Sequence, residues 1–260
     1  GTGGTFMNII DIKNLSFKYN KKSPLVIDVL SLTIKEGSIT TILGLNGCGK
    51  TTLIKLICGL YHPTSGIILL DEKDVSKYSD YNRSKIVSYV AQLNSHINDY
   101  VVFDYLLCSL NNSLKFYERP NDIEREKVNS KLKELGLEKF KDKKLGELSG
   151  GERQLISICG ALLQDTKIIV LDEPTSALDL PNQHMIINML KKVAKEGKTI
   201  IISTHNPNHA NELQSDVVLM KNGKILKKGT CQELITVENL APVYGDSIRY
   251  ASTLPHKTIV

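Results

Sequence analysis

The run Gly44-Leu45-Asn46-Gly47-Cys48-Gly49-Lys50-Thr51-Thr52 fits the G-x-x-x-x-G-K-[ST] phosphate-binding pattern without a mismatch. Glycines 44, 47 and 49 allow close backbone approach to a polyphosphate. The loop N–H groups and the helix that follows direct their positive ends toward it. Lys50 is expected to reach the β- and γ-phosphates, and the Thr51 hydroxyl to ligate Mg²⁺. Cys48 reads as a small filler. The apolar residues 39–43 before the loop and 53–57 after it supply the strand and helix that the motif requires.

Two more stretches carry chemistry. Residues 167–171 (KIIVL) read as a fully buried strand ending at Asp172-Glu173. With a phosphate loop in the same chain, Asp172 is expected to hold Mg²⁺ directly or through water, and Glu173 to orient or deprotonate an attacking water. Residues 199–203 (TIIIS) repeat the strand pattern and end at Thr204-His205. His205 reads as an ordinary loop histidine or as a donor to charge developing at a γ-phosphate.

The elements that must position these groups are legible from pattern. Residues 9–12, 15–19 and 29–34 are apolar or alternating, as in an antiparallel sheet with one dry face. Tyr19 ends one of these strands, either packing or stacking on a purine ring. A Gly/Pro turn at 59–66 leads to a strand at 67–71, and 86–91 is a buried-type strand running into Gln92. Gln92 is either a ligand-proximal residue at the sheet's C-terminal edge or an exposed loop residue. From 94 to 145 strand text gives way to helical text, with a charged, solvated helix over 121–135 capped by Gly136. Ser149, Gly150, Gly151 and Glu152 open an apolar helix reaching Gln164; they read as a plain N-cap or as a second anion site. Residues 217–220 and 224–226 read as a hairpin across Asn222-Gly223.

Bulk properties narrow the function classes. The 260 residues are 41% hydrophobic, enough for one large domain with an inserted lobe. The net charge of +5, from 33 basic and 28 acidic residues, includes no long basic block with interleaved aromatics, so no nucleic-acid partner is expected. The five cysteines have no C-x-x-C spacing, which argues against a disulfide framework or zinc site and for a reducing cytosol. No apolar run approaches the ~20 residues that span a bilayer, and no signal peptide is visible, so any membrane role is borrowed from a partner. Residues 1–6 read as a cloning remnant ahead of Met7.

Taken in order, the phosphate loop, Gln92, LSGGERQ (148–154), IIVLDEPTSALD (168–179) and His205 resemble the ATP-binding subunit of an ABC transporter, from Ile9 to about Thr230. The resemblance implies an α/β P-loop ATPase fold: a mixed sheet core, an antiparallel β-subdomain and an inserted helical subdomain. One such domain over 7–260 is expected, with the helical insertion at about 94–160 and a short C-terminal extension at about 231–260. The resemblance further implies a head-to-tail homodimer in which Lys50 of one copy and Ser149–Glu152 of the other grip one ATP with Mg²⁺. Tyr19 would stack on adenine, Gln92 would ligate the metal and sense the nucleotide for an integral membrane permease, and 176–179 would communicate across the interface. The subunit would sit on the cytoplasmic face of the membrane, served indirectly by a substrate-binding protein. Residues 71–92, 176–183 and 236–245 look like importers of ferric siderophores, haem and cobalamin, whereas His-Asn-Pro-Asn-His-Ala at 205–210 is similar to molybdate or tungstate importers. Gly160 stands where most relatives carry Arg. A soluble ABC ATPase of translation or repair, or an exporter, is the competing class.

Overall fold

The computed structural model describes residues 7–91, 97–110, 121–176, 178–245 and 248. Gln92 lies outside them, so the expectations for it rest on sequence alone.

Among the described residues ten strands form two sheets. β1 (Asn8–Phe17), β2 (Ile27–Lys35), β4 (Ser65–Leu70) and β5 (Lys73–Asp74) make an antiparallel sheet in the order β2-β1-β4-β5. The two strands expected over 9–12 and 15–19 are one. Asn14 has φ 49, and the pairing register with β2 shifts between Ile12 and Leu15, so a bulge breaks the alternation without ending the strand. Tyr19 falls beyond its end, in the turn that follows.

β3 (Ile39–Leu43), β6 (Val87–Val90), β7 (Ile168–Asp172), β8 (Thr199–Thr204), β9 (Asp216–Lys221) and β10 (Lys224–Thr230) form the second sheet in the order β10-β9-β3-β8-β7-β6. All its pairings are parallel except β9 with β10. β3, β7 and β8 are neighbours running the same way, so Leu43, Asp172 and Thr204 end at one edge, where open α/β sheets place ligands.

Both faces of this sheet are buried, which is why its central strands read as continuous Ile/Val/Leu runs. On one face Ile168, Val170 and Ile201 pack with Leu53, Ile54 and Ile57 of α1 (Lys50–Ile57) and with the antiparallel sheet, so α1 fills the space between the sheets. On the other, Ile169, Leu171, Ile200 and Ile202 pack with helices inserted between β6 and β7 and with the helix after β7. Those helices are α3 (Val102–Leu110), α4 (Asp122–Glu134), α5 (Gly150–Leu163) and α6 (Leu180–Lys195); α2 (Asp80–Ser84) precedes β6. α4 is mostly solvated yet buries Val128 and Leu132. Gly160 lies buried against α3, where a Cβ would stand 2.9 Å from Ser109 Oγ, so a larger residue there requires the Ser109 side chain to shift. α7 (Asn208–Leu213), α8 (Cys231–Leu234) and α9 (Val237–Tyr244) close a third cluster over β9. All five cysteines are free thiols.

Candidate functional site: a phosphate loop beside two strand-end carboxylates

The loop between β3 and α1 is held from below by the β9–β10 hairpin. Gly223 N–H donates to the Cys48 carbonyl at 2.8 Å, and Asp28 N–H donates to the Gly223 carbonyl at 3.0 Å. Asn222 and Gly223 have φ of 51 and 74, the two positive values a tight primed hairpin turn requires. At Gly49, φ is 108, a value L side chains rarely adopt, and this turn starts α1. Gly44 is excluded from substitution by space. A Cβ there would lie 2.5 Å from Cys48 Sγ and 2.6 Å from the Met220 carbonyl. Cys48 is therefore more than a filler; its buried thiol closes the loop against Gly44, and burial raises its pKa.

Lys50 is buried and its ammonium is fully engaged. Nζ donates to the Gly44 carbonyl at 2.6 Å and the Leu45 carbonyl at 3.1 Å, and lies 3.4 Å from Glu173 Oε1. Thr51 is exposed at the first turn of α1. Asn46, Gly47, Gly49, Lys50, Thr51, Thr52, Tyr19, Val26 and Glu173 line one cleft of about 540 Å³.

The carboxylates stand where β7 ends. Ser203 on β8 organises both, because its hydroxyl donates to Asp172 Oδ1 at 2.6 Å while its oxygen accepts the Glu173 N–H at 2.9 Å. Glu173 has φ 47, an uncommon backbone for a non-glycine residue. Its Oε2 lies 3.1 Å from His205 Nδ1, and its Oε1 is buried with no hydrogen bond beyond the Lys50 ion pair. Lys50, Glu173 and His205, far apart in sequence, are thus one contiguous group.

Tyr19 forms an aromatic platform at the cleft mouth. It is 58% exposed, stands edge-on to Phe17 and Tyr61 with centroids 5.1 and 5.8 Å away, and its hydroxyl pairs with Thr52 Oγ1 at 2.9 Å. Tyr61, in the Gly/Pro turn, stacks on Phe17 and has no distinguishing sequence signal.

Ser149 caps α5. Its hydroxyl accepts the Glu152 N–H at 3.2 Å and Glu152 Oε2 accepts the Ser149 N–H at 2.9 Å, a capping box. Within one protomer this is the plain N-cap reading. The amides of Gly150 and Gly151, by helix geometry, have no intrahelical acceptor. None of Ser149, Gly150, Gly151 or Glu152 lines the phosphate-loop cleft.

Sequence reasoning missed Ser203, a lone polar residue in an apolar strand, and His209. His209 is buried, with Nδ1 3.0 Å from Thr204 Oγ1. The signal available for it was the unusual 205–210 stretch.

A parallel sheet with a phosphate loop at its carboxyl edge, paired strand-end carboxylates and an inserted helical layer define a P-loop ATPase domain. The family model for ABC transporters matches residues 27–176, and the chain belongs to the ABC transporter family as its ATP-hydrolysing domain. It is 34% identical over 91% of its length, and 92% of the relative's, to a probable iron chelatin transport ATP-binding protein of Helicobacter pylori. It is 32% identical over 97% of its length, and 72% of the relative's, to the spermidine/putrescine import ATP-binding protein PotA of Borrelia garinii. Among solved structures, an inward-facing ABC transporter assigned to the metal-chelate type superposes with a TM-score of 0.81 at 28% identity, covering 97% of this chain and 96% of that one. A dimeric ATP-binding cassette in a post-hydrolysis state with ADP and Pi superposes with a TM-score of 0.75 at 27% identity, covering 85% of this chain and 98% of that one.

Proposed function

We propose that this chain powers an importer of metal chelates, with two copies closing head to tail on ATP. The observation carrying the dimer is the separation of two anion-binding features on one protomer: the phosphate loop in its cleft and the Gly150-Gly151 amides outside it. A two-fold axis pairing one with the other satisfies both twice, and the solved cassette with ADP and Pi is dimeric.

In this reading Lys50 and the loop amides hold the β- and γ-phosphates, Tyr19 stacks on the adenine, and Ser149 to Glu152 reach the same nucleotide from the partner. Glu173 orients and deprotonates the attacking water. His205, already 3.1 Å from that carboxylate, fixes its direction through Nδ1–H and, as the doubly protonated imidazolium, has Nε2–H to donate to the charge that develops. The Thr51 hydroxyl and the Asp172 carboxylate are the hard oxygen donors that suit Mg²⁺, which takes one or two protein carboxylates with substrate phosphates. When bound, the ion neutralises phosphate charge. Gln92 would add a ligand and sense the nucleotide.

Residues 7–260 form one functional unit in this proposal, the helical insertion at about 94–160 carrying the Ser149 cap and 231–260 an extension. No helix among the described residues is long and apolar enough to cross a membrane. The chain is proposed to sit peripherally on the cytoplasmic side, bound to permease subunits and served through them by a substrate-binding protein.

Metal chelate as the cargo is supported by the iron chelatin relative, of which the chain covers 92%. Polyamine import is favoured by a relative of which it covers 72%. The test is ATP turnover by the assembled transporter with binding proteins loaded with ferric siderophore, haem, cobalamin, molybdate or spermidine. Acceleration by one of the first three supports the reading. Acceleration only by molybdate or spermidine overturns the cargo, and turnover stimulated by nucleic acid without a permease overturns the importer.

A further inference from the structure

His209 has no part in the roles above, yet both ring nitrogens have polar neighbours. Nδ1 lies 3.0 Å from Thr204 Oγ1 and 3.5 Å from Thr175 Oγ1. Nε2 lies 3.4 Å from Gln183 Oε1 and 3.4 Å from Asn206 Nδ2. The donor directions depend on which ring nitrogen carries the proton. Thr204 Oγ1 accepts the Asn206 N–H at 3.1 Å and pairs with His209 Nδ1, as donor when the ring proton is on Nε2 and as acceptor of a second bond when it is on Nδ1. With its proton on Nε2 the neutral ring donates to Gln183 Oε1; with its proton on Nδ1 it would instead accept from Asn206 Nδ2 at Nε2, and the relay uses the first form. Gln183 Nε2 in turn donates to the Leu178 carbonyl at 2.9 Å.

In the Nε2–H form the bonds run one way without a break: Asn206 amide to Thr204, Thr204 to His209, His209 to Gln183, Gln183 to Leu178. They start on the residue after His205, cross from the end of β8 to α6, and finish in the 176–179 loop, one residue before Asp179, which caps α6 through the Asn182 N–H at 3.0 Å. His209 is 4% exposed, so water offers its ring little competition for these partners. Burial also lowers its pKa, which favours the neutral ring that the chain of bonds needs.

We infer that His209 and Gln183 are positioning residues that tie the His205 loop to Leu178, so that the placement of His205 at one nucleotide is felt in the loop proposed to face the partner protomer. The inference rests on the hydrolytic roles proposed for Glu173 and His205. It requires that His209 and Gln183 act as a unit and that their loss affect turnover rather than nucleotide affinity.

The experiment is a double-mutant cycle on the full chain, in the assembled transporter where turnover needs it. Gln183→Leu removes the relay on the α6 side. His209→Asn keeps an amide near the Nδ1 position but cannot reach Gln183. Each is expected to lower kcat about tenfold with KM for ATP unchanged within about twofold, and the double variant to be no slower than the slower single. Gln183→Asn, one methylene short of bridging His209 and Leu178, repeats the measurement if either variant unfolds. Wild-type kcat in the Gln183 variants, a loss in KM alone, or a double variant slowed by the product of the singles would overturn the relay. Glu173→Gln, run in parallel, separates the two readings: its full activity sinks the catalytic assignment, whereas an inactive Glu173→Gln beside a fully active Gln183→Leu sinks only the relay.

Discussion

Lys50 Nζ lies 3.4 Å from Glu173 Oε1, and that oxygen has no hydrogen bond of its own. The loop cation that should grip phosphate and the carboxylate that should activate water are paired with one another. A γ-phosphate brought to Lys50 competes for that cation, and the carboxylate, still bonded to His205 through its other oxygen, is left to face a water molecule.

Glu173→Gln keeps the shape and the hydrogen bond but removes the base and one partner of Lys50. A positioned general base contributes about 10²- to 10⁴-fold, so kcat is expected to fall at least about a hundredfold while ATP still binds. Single-turnover hydrolysis and fluorescent-ATP titration check the two halves separately; retention of wild-type kcat contradicts the assignment.

Tyr19→Ala removes the exposed ring of the Phe17–Tyr19–Tyr61 cluster. Base–aromatic stacking is worth about 1–3 kcal/mol, so ATP affinity should drop about fivefold or more. Tyr19→Phe, which loses only the hydroxyl contact to Thr52, should bind nearly as well. Calorimetric titration of both variants distinguishes stacking from the hydroxyl contact.

Gly44→Ala places a methyl group 2.5 Å from Cys48 Sγ and 2.6 Å from the Met220 carbonyl. Overpacking of this kind costs about 1–3 kcal/mol, a fall of several degrees in Tm, together with weaker nucleotide binding. Adding Cys48→Gly should restore part of the stability, because one of the two clashing atoms is then gone; thermal unfolding of the pair reads this directly.

His209 is held below the ordinary imidazole value of 6.5 by burial, and further by His205 and His184, against the pull of Glu212 and Glu173. In the unfolded chain it titrates near 6.5. Its contribution to stability is therefore complete above about pH 6.5 and is lost as pH falls through the lower folded value, where protonation favours the unfolded state. The unfolding midpoint of the wild type should drop more between pH 7 and pH 5 than that of His209→Asn.

Much of the site was legible in sequence because its parts are local. The phosphate loop needs consecutive residues, and the buried strands ending at Asp172 and Thr204 announce themselves as apolar runs. What was not legible depends on strand order. Ser203 reaches Asp172 and Glu173 only because β8 lies beside β7. The support of Cys48 by Gly223 exists only because the hairpin tip returns under the loop. Tyr19 continues the alternation of 15–17 in sequence, yet the strand stops at Phe17. Ser149 shows how far a single chain can mislead, since the capping box satisfies it locally whatever its role toward a partner.

In the proposed dimer ATP joins two copies, the phosphate loop of one facing the Ser149 cap of the other. Light scattering on Glu173→Gln with and without ATP tests it most directly, alongside Glu173→Gln carrying Ser149→Arg. ATP is expected to double the mass of the first protein, while the second binds ATP yet keeps the mass of one chain. A Glu173→Gln protein that saturates with ATP and remains at the mass of one chain at high concentration would contradict it.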